Sequence, residues 1–201
     1  MRLCIVGLVV LSPLLLYACG ADGDPAQRSK TAVESIQTRL DDPSCKKEID
    51  RSDPNETPYF VCPGVGGYGL IVRRVDSGRE SIEVVDPGKR VSRLNYQEVI
   101  TRHMNSLGEQ VEWRVQIKDG RQVPIALIVR VHAREDKDNP AKVTQTYAAV
   151  AKITPSETCV TDRIAEGAQA DAEVRSKADT ARERQCAPPQ PPMVVDGVVV
   201  R

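Results

Sequence analysis

Apolar and polar positions divide the chain into an apolar opening, a strand-patterned middle and a helical, proline-tipped end. Residues 3–16 are almost wholly apolar. Further on, Ala32, Val33, Ile36 and Leu40 recur at helical spacing, which predicts a short amphipathic helix over Pro25–Leu40, stopped by Asp41-Asp42-Pro43. Cys45–Pro58 is polar and reads as loop. Tyr59–Cys62 predicts a short strand, interrupted by Pro63-Gly64-Val65-Gly66-Gly67. Tyr68–Val75, Ser81–Asp86 and Arg90–Leu94 follow as strands, with turns at Asp76-Ser77-Gly78 and Pro87-Gly88.

Asn95 with Glu98 three residues on reads as a capping box, opening a helix whose face is Tyr96, Val99, Ile100, His103 and Leu107 and whose end is Gly108. A hairpin comes next. Val111, Trp113, Val115 and Ile117 alternate with Glu112, Arg114, Gln116 and Lys118, and Asp119-Gly120 signals a tight turn. The return strand runs to about His132. Its Ile125–Val129 stretch is apolar on both faces, which places it centrally in a sheet, and Pro124 predicts a bulge or the strand's first turn. A polar loop, Glu135–Lys142, precedes strands over Thr144–Ile153 and Thr158–Ile164, joined by a turn at 154–157. Ala168–Arg184 predicts an alanine-rich helix with Val174, Ala178 and Ala181 as its buried stripe, an exposed Glu173/Lys177 pair, and Arg182 and Arg184 at its dipole-favoured end. Four prolines at 188–192 and an apolar end, Met193–Arg201, read as a stiff spacer followed by an edge strand or a frayed terminus. The expectation is an α+β domain: a mostly antiparallel sheet of about seven or eight strands with helices on one face.

The opening changes where this domain is placed. Arg2 precedes the apolar run and small residues close it, the pattern of a secretory signal peptide too short to span a bilayer as a helix. Leu16-Tyr17-Ala18-Cys19 resembles the lipobox of bacterial lipoproteins, with Leu16, Ala18 and Cys19 in place and Tyr17 bulkier than usual. That resemblance implies cleavage before Cys19 and a diacylglycerol on its thiol; two acyl chains suffice for stable attachment. Ala18-Cys19-Gly20 also reads as small-x-small, so cleavage after Gly20 is the alternative. Gly20 rather than Asp after Cys19 points, by resemblance to enterobacterial sorting, to the outer membrane facing the periplasm. The organisation expected is a signal peptide at 1–18, a tether at 19–28, one domain at 29–187 and a tail at 188–201.

Without Arg2 the chain from Cys19 carries 27 basic and 28 acidic residues, net −1, with the signs interspersed. This balance, together with scarce aromatics, argues against a nucleic-acid partner. Cys45, Cys62, Cys159 and Cys186 remain after Cys4 and Cys19 are set aside. An even number in an exported chain reads as two disulfides, with three connectivities open. The local pairs Cys45–Cys62 and Cys159–Cys186 are favoured. A seven-residue strand from Thr158 travels about 23 Å, and a seventeen-residue helix returns about 25 Å, which brings Cys186 back to Cys159. No metal or cofactor is expected: the cysteines are dispersed, with no Cys-x-x-Cys pair, and there are only two histidines.

The Gly64–Gly69 run lacks the following helix and Lys-Ser/Thr of a phosphate loop, so it reads as a turn between strands. His103 and His132 have no nucleophile at a recognisable spacing, and both read as structural. Glu112, Trp113 and Arg114 form a candidate recognition patch, weighed against an ordinary solvated strand face. Asn55-Glu56-Thr57 has the form of a eukaryotic glycosylation acceptor, which a bacterial lipoprotein would not use. The Phe60–Tyr68 stretch (FVCPGVGGY), Leu107-Gly108 with Glu112-Trp113-Arg114, Ala126–Arg130 and the Cys159/Cys186 pair together resemble a family of uncharacterised exported bacterial proteins. That family implies no activity.

Three functions follow as expectations. The first is a non-enzymatic envelope lipoprotein, structural or a binding module, with the membrane as partner through Cys19 and an envelope protein as a second. The next is a periplasmic inhibitor of a lysozyme-like enzyme, since Tyr59-Phe60-Val61-Cys62 is faintly similar to the Tyr-x-Cys opening of membrane-bound lysozyme inhibitors. The last is a hydrolase using His132 with a loop serine or aspartate.

Overall fold

A computed structural model of the chain describes residues 32–52, 54, 57–195 and 198–200. The signal peptide, Cys19, the tether and the first part of the helix expected over Pro25–Leu40 lie outside these residues. Asn55 and Glu56 of the acceptor triplet lie outside them too.

The described chain forms two five-stranded antiparallel sheets and a terminal two-stranded hairpin. The first sheet joins β1 (Val33–Arg39), β7 (Met104–Lys118), β8 (Arg121–Arg134), β9 (Gln145–Ile153) and β10 (Thr158–Ala165), in that order. The second is a meander of β2 (Lys46–Ile49), β3 (Pro58–Pro63), β4 (Gly69–Arg74), β5 (Glu80–Val85) and β6 (Val91–Arg93). Helix α1 (Tyr96–Val99) is a single turn that links the two sheets; α2 (Ala170–Asp179) continues into a 3₁₀ turn at Ala181–Glu183. The single sheet of seven or eight strands expected from the pattern is therefore two stacked sheets. Val198–Val200 pairs with Met193–Val195 as β12 on β11 and joins neither large sheet.

Alternation along β7 to β10 produces three layers. One face of the first sheet presents Val111, Trp113, Val115, Leu127, Val129, Val131, Ala149, Ala151, Ile153 and Val160 to Cys62, Leu70, Ile82 and Val84 of the second. The opposite face presents Ala126, Ile128, Ala148, Val150 and Ile164 to Val174, Ala178 and Ala181. A strand apolar on both faces needs a cover on each, and here a sheet covers one and a helix the other. The predicted stripe of α2 and the two-faced character of Ile125–Val129 appear as read.

Asp119 and Gly120 turn the β7–β8 hairpin with φ of 51° and 72°. Both angles lie in the left-handed region that a tight type I′ turn requires. Pro124 pairs with Val115 while Ala126 pairs with Arg114, so a bulge falls at the position the proline marks.

Three segments depart from expectation. Val33–Arg39 is an edge strand rather than a helix. Its Ile36 lies opposite Trp113, and its Thr38 accepts a hydrogen bond from the indole N–H at 2.9 Å. The helix expected from Asn95 to Leu107 stops after one turn. Asn95 takes φ 48° and its side chain caps nothing. Met104–Leu107 pairs instead with Val131–Arg134, extending the hairpin by four residue pairs. Lys46–Ile49, within a stretch read as loop, pairs with β3. In each case an unpaired strand edge captured a segment whose local preference was weak.

Two disulfides join Cys45 to Cys62 and Cys159 to Cys186, with S–S distances of 2.06 and 2.07 Å. The first fixes the start of β2 to β3. The second ties the chain beyond the 3₁₀ turn to the base of β10. The stretch read as a spacer is anchored beyond this point: Gln190 donates its backbone N–H to Glu98 O at 2.6 Å and its amide to Val99 O at 3.1 Å.

Gly64 shows how tightly the glycine loop closes over the core. A Cβ there would lie 2.7 Å from Trp113 Cζ2 and 2.9 Å from the Tyr68 carbonyl. We expect Gly64→Ala to cost about 1–3 kcal/mol in urea unfolding, by displacing the indole or the loop. Replacing Cys159 and Cys186 together by serine should cost about 3–4 kcal/mol on the chain-entropy scale, measured by the same unfolding under non-reducing conditions.

Candidate functional site

The residues singled out in the sequence do not converge. Trp113 is fully buried between the sheets, with Tyr68 at 6.4 Å between ring centroids. Glu112 and Arg114 point to the other face, and α2 covers them. Arg114 donates Nε and Nη2 to Asp179 at 2.7 and 3.0 Å. It also meets the Ser35 hydroxyl. Glu112 accepts from Ser35 at 2.5 Å and from Arg175 at 3.0 Å. Only 12% of the Glu112 side chain and 9% of the Arg114 side chain remain exposed. The three residues thus share no surface; the polar face reads as solvated only because α2 is invisible to a strand pattern.

The same polar stripe continues along the helix. Arg130 reaches Asp171 at 2.5 Å and also pairs with Glu166. Arg182 and Arg184 are caught as well. Arg182 donates to the carbonyls of Ile153 and Pro124 at 3.0 and 2.9 Å, and Arg184 grips Asp162 at 2.7 and 2.6 Å.

His132 pairs across the sheet with Ser106 on β7 and Thr146 on β9, and its Nδ1 lies 2.9 Å from Thr146 Oγ1. No carboxylate is hydrogen-bonded to it among the described residues. Tyr59–Cys62 forms most of β3. Cys62 is bonded to Cys45, and the Tyr59 ring lies beneath Arg73 at 4.7 Å. Glu157, Cys159 and Cys186 lie close enough to suggest a metal site, but both sulfurs are committed to the disulfide.

A cleft of about 580 Å³ opens at the end of the β7–β8 pair farthest from its turn. Three segments distant in sequence build it. The β4–β5 turn brings Asp76 and Arg79; the chain entering β7 brings Arg102, His103 and Met104; the end of β8 and its loop bring Arg134, Glu135, Asp136 and Lys137. A smaller groove shares Arg102, His103 and Glu135 and adds Arg163, Gln190 and Pro191. Arg79 is neutralised by Asp76 at 2.5 Å. Arg102, by contrast, is held by neutral groups: its Nε and Nη2 donate to the Gln190 carbonyl at 3.2 and 2.8 Å, and Nε also to that of Pro191 at 3.1 Å. Arg134 donates to Ser106 Oγ at 2.9 Å. Arg163 donates to Gln190 Oε1 at 2.9 Å and lies 3.9 Å from the centre of the Tyr147 ring. Among the described residues no carboxylate lies within 4 Å of these last three guanidiniums.

The pattern placed His103 on a helix and gave the arginines no role. Their signal is not periodic: Arg79 and Arg102 lie in turns, Arg134 ends β8 and Arg163 sits within β10, each an ordinary charged residue in its local pattern.

No family model, curated protein or solved structure matches the chain. Among the described residues no helix is long and apolar enough to cross a membrane.

The helix clamp has a pH signature. Burial pushes the Glu112 carboxyl up, but hydrogen bonds from Arg175 and Ser35 and the charges of Arg175 and Arg114 outweigh it, leaving the group below its ordinary value of 4.5. A carboxyl depressed in the folded state adds stability above its unfolded value, and this is lost as pH falls through the folded value. Glu112→Gln should therefore cost about 1–3 kcal/mol at pH 7, and the gap to the parent protein should close as unfolding is measured at successively lower pH below 4.5.

Proposed function

We propose that the protein is a non-enzymatic binding module of the bacterial cell envelope, anchored by lipid at Cys19, with the cleft between β7, β8 and the β4–β5 turn as its binding site. One observation carries this reading. Val33, where the described chain begins, lies opposite Gln116 beside the Asp119–Gly120 turn, whereas the cleft lies at Met104 and Arg134. The strand between the two places spans up to about 40 Å at ordinary strand rise. The cleft thus lies at the opposite end of β7 from the residue where the described chain begins. The two disulfides fit an exported chain.

The decisive measurement is the intact mass of the protein extracted from its host's membrane fraction, before and after reduction. We expect a chain beginning at Cys19 with added acyl mass, which gains about four hydrogens when two disulfides open. Cys19→Ala should move the protein from the membrane to the soluble envelope fraction. An unacylated wild-type chain in the soluble fraction would overturn the anchor.

A further inference from the structure

We propose that the cleft binds an oxyanion, a phosphate or carboxylate group, carried by a ligand that also offers hydroxyl or amine donors. This rests on the preceding reading of the cleft as the binding site and assigns its ligand chemistry.

Positive charge in the cleft exceeds the negative charge that faces it. Five cations line the cleft and its adjoining groove: Arg79, Arg102, Arg134, Lys137 and Arg163. Three carboxylates oppose them, Asp76, Glu135 and Asp136. Asp76 is taken by Arg79. Asp136 accepts the backbone N–H groups of Asp138 and Asn139 at 3.0 and 3.2 Å, and Lys142 stands 3.8 Å away. Arg102, Arg134, Lys137 and Arg163 thus outnumber the two remaining carboxylates, Glu135 and Asp136.

Arg102, Arg134 and Arg163 are also fixed before any ligand arrives. Backbone carbonyls, a serine hydroxyl, a glutamine amide and a tyrosine ring hold them without neutralising them. A guanidinium positioned by neutral acceptors keeps its full charge and has less rotamer freedom to lose on binding. Oxyanions match its remaining donors, since charge-assisted hydrogen bonds are about twice as strong as neutral ones.

Glu135 supplies selectivity. Its carboxylate takes only a long hydrogen bond from Tyr147 Oη, 3.4 Å, and no cation lies within 4 Å among the described residues. It would repel a ligand that is anionic throughout and accept from one that brings a hydroxyl or ammonium beside its charge. The volume, about 580 Å³, suits a small molecule or the end group of a polymer.

Pyrophosphate is a suitable probe, titrated calorimetrically into the full-length protein purified in neutral detergent. Binding should be saturable and weak, because pyrophosphate meets the arginines but is anionic at both ends and so is repelled by Glu135. Arg134→Gln should weaken it about tenfold, the loss of one charge-assisted pair. Glu135→Gln should tighten it several-fold. Lys118→Gln, which removes the same charge at the far end of β7, should leave it unchanged. Thermal unfolding of each variant separates a lost contact from a lost fold.

Repeating the titration in phosphatidylcholine vesicles, with and without phosphatidylglycerol, separates the sources of the anion. Unchanged affinity supports a free ligand; competition by phosphatidylglycerol keeps the oxyanion site and assigns it to a headgroup. Absence of saturable binding up to about 10 mM, or equal weakening by Lys118→Gln and Arg134→Gln, would overturn the proposal. Either result would leave the lipid anchor standing, because the mass measurement tests that independently.

Discussion

Strand β8 is apolar on both faces, and most of the architecture answers the need to cover it. Leu127, Val129 and Val131 alternate with Ala126 and Ile128, and all five are buried. A two-faced strand cannot be left against water on either side, because each fully buried Val, Leu or Ile is worth roughly 1.5–3 kcal/mol over an exposed one. The second sheet closes over the face centred on Trp113, and α2 closes over the other. The disulfides then brace the covers, one within the second sheet between the start of β2 and β3, the other between the chain beyond α2 and the first sheet. Cys62 lies in the core under the second sheet, and Cys186 pins the chain that leaves α2 to β10.

The two covers are attached by different chemistry. The sheet-on-sheet interface is dry and shape-dependent, with the indole seated beneath the Gly64 loop. The helix brings a narrow stripe of Ala and Val, too small to fix it by apolar area alone, and ion pairs along one flank supplement it. Arg114 with Asp179, Arg175 with Glu112 and Arg130 with Asp171 all join α2 to the hairpin. Removing one member of the half-buried pairs would leave its partner uncompensated, which is how such pairs specify one docking position.

The cleft is a by-product of the same frame. At the far end of the hairpin the apolar alternation gives way to charged residues, and the covers end. Arg134 emerges from β8, Arg102 enters β7, and the segment at Gln190 crosses between α1 and β10. Strand ends of a rigid double layer meet there with turns from both sheets, the setting in which loops carry binding on a fixed scaffold.

Local pattern alone was enough for the elements in which each residue's neighbours agree with it. These are the β7–β8 hairpin with its Asp119-Gly120 turn, the bulge at Pro124, the meander from Tyr59 to Leu94, the buried stripe of Val174, Ala178 and Ala181, and the Cys159–Cys186 closure. They are legible because alternation, turn chemistry and helical spacing are properties of a few consecutive residues. Tertiary structure decided the rest. It turned Val33–Arg39 into an edge strand, cut the Asn95 helix to one turn, buried Glu112 and Arg114 under α2, and brought Arg79, Arg102, Arg134 and Arg163 to one end of the molecule. Those outcomes depend on which strand edge is free and which face is uncovered, and such facts exist only once distant segments have packed.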